Sequence, residues 1–169
     1  MRAKAAILLM ISSLAAGLCS TDSLEPTLTL VPIAGLTTRD LLDTFDQMRG
    51  TVRHEAIDIM APRGTPARAV VSGVIAKLFL SKPGGNTVYL FDERQEFCYY
   101  YAHLDRYAAS LHEGQHVAPG EVIGYVGSTG NASPAAPHLH FTIYRLGPAK
   151  HWWQGTAINP YPYLRHLVH

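Results

Sequence analysis

The sequence is poor in cysteine, in charge and in long apolar runs, and each shortage excludes a class of protein. Two of its 169 residues are cysteines, too few for a scaffold held together by several disulfides. Charged residues make up 16% of the chain and the net charge is +1, so the basic surface of a nucleic-acid-binding protein is missing and no nucleic-acid partner is expected. No apolar run reaches the roughly 20 residues that span a bilayer as a helix. With 47% hydrophobic residues, the chain can bury the core of one globular domain.

The first twenty residues have the pattern of an export signal. Arg2 and Lys4 precede an apolar run from Ala5 to Leu18, which is too short for a membrane anchor and is followed by small residues. Cys19 lies where a lipid-modified cysteine would lie, although the leucine before it is bulkier than lipoprotein processing usually requires. We therefore expect an exported protein, in the periplasm or cell envelope or secreted, which contacts a membrane only through this signal or through a lipid on Cys19.

Loss of residues 1–20 would leave a nearly neutral chain. Two of the fourteen basic residues and none of the thirteen acidic residues lie there, so the mature charge is 12 minus 13, or −1. Cys98 would then have no disulfide partner in the chain, and we expect it to pack as a small apolar residue.

The predicted domain organisation is an export signal at 1–20, a short leader at 21–36 that enters an edge strand, and one domain at 37–169, expected to be monomeric.

Short β-branched or aromatic runs dominate the chain from residue 69 onward and predict strands. The predicted strands are 69–80, 86–92, 97–104, 122–126 and 138–145. Lys82–Gly85 and Asp92–Gln95 are of hairpin length, so consecutive strands should pair antiparallel. The expected fold class is all-β, with mainly antiparallel sheets forming a sandwich or open barrel with a narrow active-site groove, and few short helices.

Two segments outside these strands carry weaker patterns. Four apolar residues within 37–50 recur at the spacing of one helical face, between Thr37 as a cap and Gly50 as an end, which predicts a short helix: Leu41, Leu42, Phe45 and Met48. The tail 147–169 is rich in aromatic residues and carries two prolines in its last ten residues. We expect it to pack on the domain as an irregular cover more than to line a groove.

Four of the nine histidines stand out from the rest. Five lie in loops or in the tail without a partner motif and are assigned to the surface: His112, His116, His151, His166 and His169. Along 138–144 side chains alternate, so His138 and His140 share one polar face while the intervening apolar residues face the core. Two imidazoles at i and i+2 can aim at one point, and burying both without a shared task would cost desolvation, so we expect them to be functional.

His103 follows a second alternating run, 97–104. Alternation groups it with Tyr99 and Tyr101 and leaves Cys98 on the opposite face. A histidine among tyrosines is by itself typical of a hydrogen-bonded structural residue, so its functional weight comes from the other motifs.

His54 and Asp58 offer two metal-ligand types four residues apart. In a straight strand their Cα atoms would be roughly 13 Å apart, too far for metal bonds of roughly 2 Å. The segment is therefore helical or bent. The helical alternative is similar to a H-E-x-x-H zinc helix with Glu55 as general base, but Pro62, Gly64 and Pro66 follow closely and no amphipathic pattern surrounds it.

The bent alternative brings a family resemblance. The motif H-x-x-x-D at 54–58, then Tyr101-Ala102-His103-Leu104, then His138-Leu139-His140-Phe141, resembles the lysostaphin-like (LytM-type) zinc metallopeptidases. The segment 120–131 also looks like that family, and the similarity extends over roughly 32–164. Three motifs in the same order make the resemblance specific.

The resemblance implies a complete site. It implies that His54, Asp58 and His140 bind one zinc ion per chain, and that His103 and His138 are catalytic, orienting water, accepting its proton and stabilising the tetrahedral oxyanion. The family usually has glycine at the position of Ala56. If the bend requires a positive φ there, alanine costs roughly 1 kcal/mol.

The implied function is that of an exported zinc metalloendopeptidase acting on peptide cross-links of bacterial peptidoglycan, with loop 128–137 as one wall of the substrate cleft. A first alternative is a non-catalytic cell-wall-binding or amidase-activating domain of the same fold, but such relatives lack metal ligands that this chain keeps. A second, a plain metal-binding protein, would not need His103 and His138.

Overall fold

The computed structural model describes residues 25–168, and within this range nearly all regular structure is β. The export signal and Cys19 lie outside the described residues. The elements are β1 (Met48–Arg49), β2 (Val52–Arg53), β3 (Ile57–Met60), β4 (Pro66–Arg68), β5 (Gly73–Ser81), β6 (Gly85–Asp92), β7 (Phe97–Tyr107), β8 (His116–Val117), β9 (Val122–Val126), β10 (His138–Leu146), β11 (Gly155–Ile158) and α1 (Tyr161–Arg165). Within residues 25–168, no helix has the length and hydropathy of a membrane span.

Nine of these strands form one antiparallel sheet that does not close into a barrel. Its main path runs β11-β10-β7-β6-β5-β8, while β9 joins β7 to β4. Strand β10 pairs with β7 along one edge, and along its other edge it pairs first with β3 and then with β11. The β5–β6 and β6–β7 hairpins form at the two predicted turns. The predicted all-β antiparallel fold class is confirmed.

The core lies under one face of the long strands. Leu139, Phe141 and Ile143 are completely buried, as the alternation of β10 predicts, and they pack with Tyr99 and Tyr101 of β7. A smaller cluster on the opposite face contains Cys98 with Phe91 and Leu146. Cys98 is fully buried as a free thiol, as expected of a small apolar residue, and burial raises its pKa.

The helix predicted over residues 37–50 is wrong. Leu41 is buried, but Leu42 and Met48 are 62% and 58% exposed, so the four apolar residues do not form one buried face. The segment is extended and irregular, and its main-chain carbonyls at Phe45 and Gln47 accept bonds from the amides of residues 55 and 54. Gly50 has φ +67 and turns the β1–β2 hairpin where a helix end was expected.

The two ends of the described chain pack against the domain. No strand forms across residues 25–36, so the expected edge strand is absent there; instead Thr29 and Pro32 bond the main chain of residues 68–70. The tail is more regular than predicted, since it supplies β11 and α1. Trp152 covers the smaller core cluster, and none of the tail lines the groove over His138 and His140, which supports the structural interpretation of its aromatics.

Candidate metal centre and active-site groove

The register between β3 and β10 brings the first two candidate ligands together. Asp58 lies directly opposite His140, and Met60 lies opposite His138. Residues directly opposite in an antiparallel pair project from the same face of the sheet. The face opposite the core therefore carries Asp58, His138 and His140 side by side.

A sharp bend after His54 returns the third ligand to the same point. The bend is at Glu55, whose φ is +54, and β3 begins two residues later, so the helical alternative is wrong and the bent one is confirmed. Ala56 does not have a positive φ, and the expected strain therefore falls on Glu55 instead. The Thr142 hydroxyl donates to the Glu55 carbonyl at 2.6 Å, which fixes the bend to β10.

Thr44 holds both ends of the bend, a role that the sequence did not reveal. Its carbonyl accepts from His54 Nδ1 at 3.1 Å, and its hydroxyl accepts from the Asp58 amide at 3.2 Å. The hydroxyl also lies 3.3 Å from the carbonyl of Ala56, to which it donates. Because the segment around Thr44 was predicted to be helical, no sequence pattern placed this side chain at the site.

The three predicted ligands converge on one point. One ligand atom from each of His54, Asp58 and His140 lies within 4.8 Å of the others. Asp58 Oδ1 is 3.1 Å from His54 Nε2 and 3.3 Å from His140 Nδ1, and these two nitrogens are 3.1 Å apart. A carboxylate with two imidazoles is a donor set that suits a transition-metal dication.

The hydrogen bonding of the cluster fits a metal. Asp58 Oδ1 is buried and accepts no hydrogen bond from any residue between 25 and 168. His54 donates its Nδ1 proton to the Thr44 carbonyl, which leaves Nε2 as a lone pair facing the carboxylate. Buried polar atoms without partners are rare in folded proteins, and a cation held between the carboxylate and the two imidazoles would satisfy Asp58 Oδ1.

The protonation of the cluster residues also favours metal binding. Burial tends to raise the pKa of Asp58, but the His140 and His54 imidazoles outweigh it and hold that pKa well below its usual range. Burial lowers the pKa of His140. Asp58 is thus an ionised carboxylate, the form that binds a metal.

His103 reaches the site through a backbone irregularity and not through alternation. Alternation predicted that it shares one face with Tyr99 and Tyr101, and this prediction is wrong. His103 has φ +59, and the β6–β7 register shifts there, since Asn86 lies opposite Leu104 while Val88 lies opposite Tyr101. This β-bulge turns the imidazole to the other face, with its ring centroid 4.9 Å from that of His138 and 5.5 Å from that of His140.

His103 and His138 are held in the same tautomer by main-chain carbonyls. His103 Nδ1 lies 2.8 Å from the Thr129 carbonyl, and His138 Nδ1 lies 2.8 Å from the Ala136 carbonyl. A carbonyl only accepts, so Nδ1 carries the proton and Nε2 is the lone pair available to the groove that both side chains line. Burial lowers the pKa of His103 to about 4, so this ring is neutral at pH 7.

A groove of about 590 Å³ opens over the cluster. One wall comes from loop 128–137 through Asn131, Ser133 and their neighbours, as predicted, and the other from the extended segment that contains Leu42 and Thr44. Arg49 also lines this second wall and donates to Asp58 Oδ2 at 2.7 Å. No sequence pattern pointed to Arg49, because its hairpin lies inside the segment predicted to be helical.

The other histidines lie away from this groove. Four of the five assigned to the surface are exposed, as predicted: His112, His116, His151 and His166. His169 lies outside the described residues. The five remaining site predictions, three metal ligands and two neighbouring histidines, all fall in one groove.

Fold and site together define a class of protein, an open antiparallel β domain with a His-Asp-His cluster that could hold a metal and two further histidines in one groove. Residues 52–160 match the profile of peptidase family M23, and the chain belongs to this family of metallopeptidases. The resemblance to lysostaphin-like peptidases is confirmed.

Individual relatives agree with this assignment. The chain is 35% identical over 117 residues to the L-Ala–D-Glu endopeptidase of Bacillus subtilis, covering 66% of this chain and 34% of the relative. It is 35% identical over 88 residues to the peptidoglycan DD-endopeptidase ShyC of Vibrio cholerae, covering 52% and 19%. Among solved structures, lysostaphin from Staphylococcus simulans superposes with a TM-score of 0.63 at 29% identity, covering 76% of this chain and 50% of that one. The chain thus spans about a third or less of these two curated relatives.

Proposed function

We propose that the protein is an exported zinc-dependent endopeptidase that hydrolyses peptide cross-links of bacterial peptidoglycan. The observation that carries this proposal is the cluster of His54, Asp58 and His140, in which the buried Oδ1 of Asp58 has no hydrogen-bond donor among the described residues. Two further histidines line the same open groove. Relatives named as endopeptidases, one of them of peptidoglycan, support the reaction and the substrate.

The chain supplies both the ligands for a metal and the groups for proton transfer. Zinc held by the three ligands would polarise the scissile carbonyl and acidify water. His103 and His138, each with Nδ1 tied to a carbonyl, present Nε2 to the groove, where one can accept the proton of the attacking water. Once protonated, the same nitrogen can donate to the leaving amine, and the other histidine can hydrogen-bond the developing oxyanion.

The exported location rests on the basic and apolar pattern of residues 1–20. We propose that this segment is removed, that Cys19 is a candidate for lipid attachment, and that the mature protein acts as a monomer in the cell envelope. The intact mass of the mature protein separates simple cleavage from a diacylated Cys19. A mature form that still begins at Met1 and stays in the cytosol would contradict export.

Digestion of purified peptidoglycans tests the activity. Sacculi with D-alanyl cross-links and sacculi with glycine bridges are incubated with the mature, zinc-loaded protein, and the fragment masses are measured. We expect peptide-bond cleavage that stops on chelation, resumes when zinc is restored and is absent in Asp58→Ala. A stoichiometrically zinc-loaded protein that cuts neither material would favour the alternative of a non-catalytic wall-binding domain.

A further inference from the structure

We propose that Arg49 selects the substrate by binding a free carboxylate on the residue next to the scissile bond. The groove would then prefer an acidic peptide cross-link to an uncharged glycine bridge. This inference rests on the proposed peptidase function and adds to it the chemical class of the substrate.

The β1–β2 hairpin points Arg49 into the groove. Arg49 lies opposite Val52, and Arg53 lies opposite Met48, so the two arginines of this hairpin project from opposite faces. Arg49 lines the groove and Arg53 does not. The hairpin therefore delivers one guanidinium to the site.

Arg49 dominates the charge of the groove wall. Among the described residues that line the groove, Arg49 is the single arginine or lysine and Asp58 the single acidic residue. A divalent ion would share Asp58 with Arg49, so the groove would be electropositive once loaded. A carboxylate on the substrate would be attracted by this field, whereas a neutral bridge would gain nothing from it.

The guanidinium has hydrogen-bonding capacity beyond its bond to Asp58. It carries five N–H donors in a planar fork that suits carboxylates, and Asp58 Oδ2 accepts from Nη2 at 2.7 Å. The side chain is 52% exposed, so the substrate can reach it. The ion pair with Asp58 also fixes its position relative to the metal ligands.

The distance between the Arg49 guanidinium and the metal ligands determines which substrate residue can place a carboxylate on Arg49. Asp58 separates the two, since Oδ2 bonds Arg49 while Oδ1 lies 3.1 Å from His54 Nε2 and 3.3 Å from His140 Nδ1. One extended peptide residue spans about 3.3 Å. A carboxylate bound to Arg49 therefore belongs to a residue adjacent to the bond that is cut.

The test uses two D-alanyl cross-linked muropeptide dimers that differ in one group. In one dimer the diamino acid that supplies the scissile amide nitrogen has a free carboxylate, and in the other that group is a carboxamide. We expect the native protein to cut the free-carboxylate dimer with a kcat/KM about tenfold or more above that for the carboxamide dimer. Arg49→Gln should remove this preference, and Arg49→Lys should restore part of it.

Arg53→Gln is the matched control. Arg53 lies on the same hairpin, has similar exposure at 57%, and forms an ion pair with Asp46 at 2.9 Å. It should keep the native preference. Equal losses on both dimers in Arg49→Gln would show that Arg49 only orients Asp58, and would overturn the proposal.

Binding provides a readout that does not depend on turnover. Calorimetry with zinc-loaded His103→Ala protein should give a dissociation constant for the free-carboxylate dimer that rises about tenfold when Arg49→Gln is added, with zinc content unchanged. An unchanged dissociation constant would contradict carboxylate recognition. Failure to cut either dimer or any peptidoglycan would reject the peptidase itself, which is a different outcome from cutting both dimers equally.

Discussion

At the scale of single residues, Asp58 uses its two oxygens for different purposes. Oδ1 faces the nitrogens of His54 and His140, while Oδ2 accepts from Arg49. His138 lies near the same carboxylate, but its Nε2 is 3.7 Å from Oδ1, farther than either predicted ligand nitrogen. This difference favours His140 over His138 as the metal ligand, although both project from one face of β10.

Alanine substitutions at Asp58, His140, His138 and His103 should therefore separate metal binding from turnover. His140→Ala and Asp58→Ala remove ligands and should lose zinc, whereas His138→Ala and His103→Ala should keep zinc and lose on the order of a hundredfold or more in rate. Zinc content and activity are measured on the same samples. A zinc-free His138→Ala beside a zinc-loaded His140→Ala would reverse the two roles.

Glu55 is the next residue to test, because the rejected zinc helix would make it the general base. In the structure it is exposed, does not line the groove, and contributes its φ of +54 and its carbonyl to the bend. Glu55→Gln keeps the backbone and should retain most activity. A loss of several orders of magnitude with zinc retained would revive the helical interpretation.

At the scale of elements, the β5–β6 turn and loop 128–137 together position His103. The Gly84 carbonyl accepts from the His103 amide at 2.8 Å, and the Thr129 carbonyl accepts from its ring. Thr129 also accepts from the Asn86 amide at 3.0 Å, and its hydroxyl donates to the Leu104 carbonyl at 2.8 Å. The bulge in β7 is thus clamped from both sides.

Gly130 makes this close packing possible, and Gly130→Ala should damage it. Its φ is +76, and an added Cβ would lie 2.4 Å from the Gly85 nitrogen and 2.4 Å from the Pro83 carbonyl oxygen. We expect a loss of more than about 1 kcal/mol in the free energy of unfolding, measured by urea denaturation, together with a lower kcat because His103 is displaced.

Gly114→Ala is the control for that prediction. Gly114 has a φ of +82, but no described atom lies within 4 Å of the position that an added Cβ would take. It should show the backbone penalty of about 1 kcal/mol with kcat retained. Identical stability and kcat in the two variants would mean that the clamp does not position His103.

At the scale of the whole molecule, the metal would link segments that the described part of the chain leaves without a covalent cross-link. Cys98 is a free cysteine, and the ligands come from the bend before β3, from β3 and from β10. A metal that binds the folded state alone stabilises it by about 2.7 kcal/mol when its concentration is a hundred times the dissociation constant.

Chelation should accordingly lower the melting temperature. For a domain of this size the loss corresponds to about 5–10 °C, measured by calorimetry with and without chelator and after zinc is restored. The Asp58→Ala variant should have the same melting temperature without chelator, with chelator and after zinc is restored. An equal response of this variant to the chelator would place the stabilising metal elsewhere.

The sequence by itself determined the fold class, two hairpins of the sheet and the candidate residues of the site. Turn residues at 82–85 and 92–95 and alternation in 138–144 depend on local backbone geometry, so they were sufficient to predict the hairpins and the face shared by His138 and His140. The hairpins and the shared face need no knowledge of distant contacts. The three candidate ligands and the two neighbouring histidines came from the resemblance of the ordered motifs to a known family.

Only the tertiary structure decided how those residues meet. His103 leaves its alternating face because a bulge clamped by Gly84 and Thr129 imposes a positive φ, and the bend lies at Glu55, where Thr142 holds the carbonyl. Arg49 joins the site because its segment uses its main-chain hydrogen bonds on residues 54 and 55 and not on a helix. The positions of His103 and Glu55 depend on partners far away in sequence, and that of Arg49 depends on non-helical bonds to residues 54, 55 and 58; local periodicity carries no information about either kind of partner.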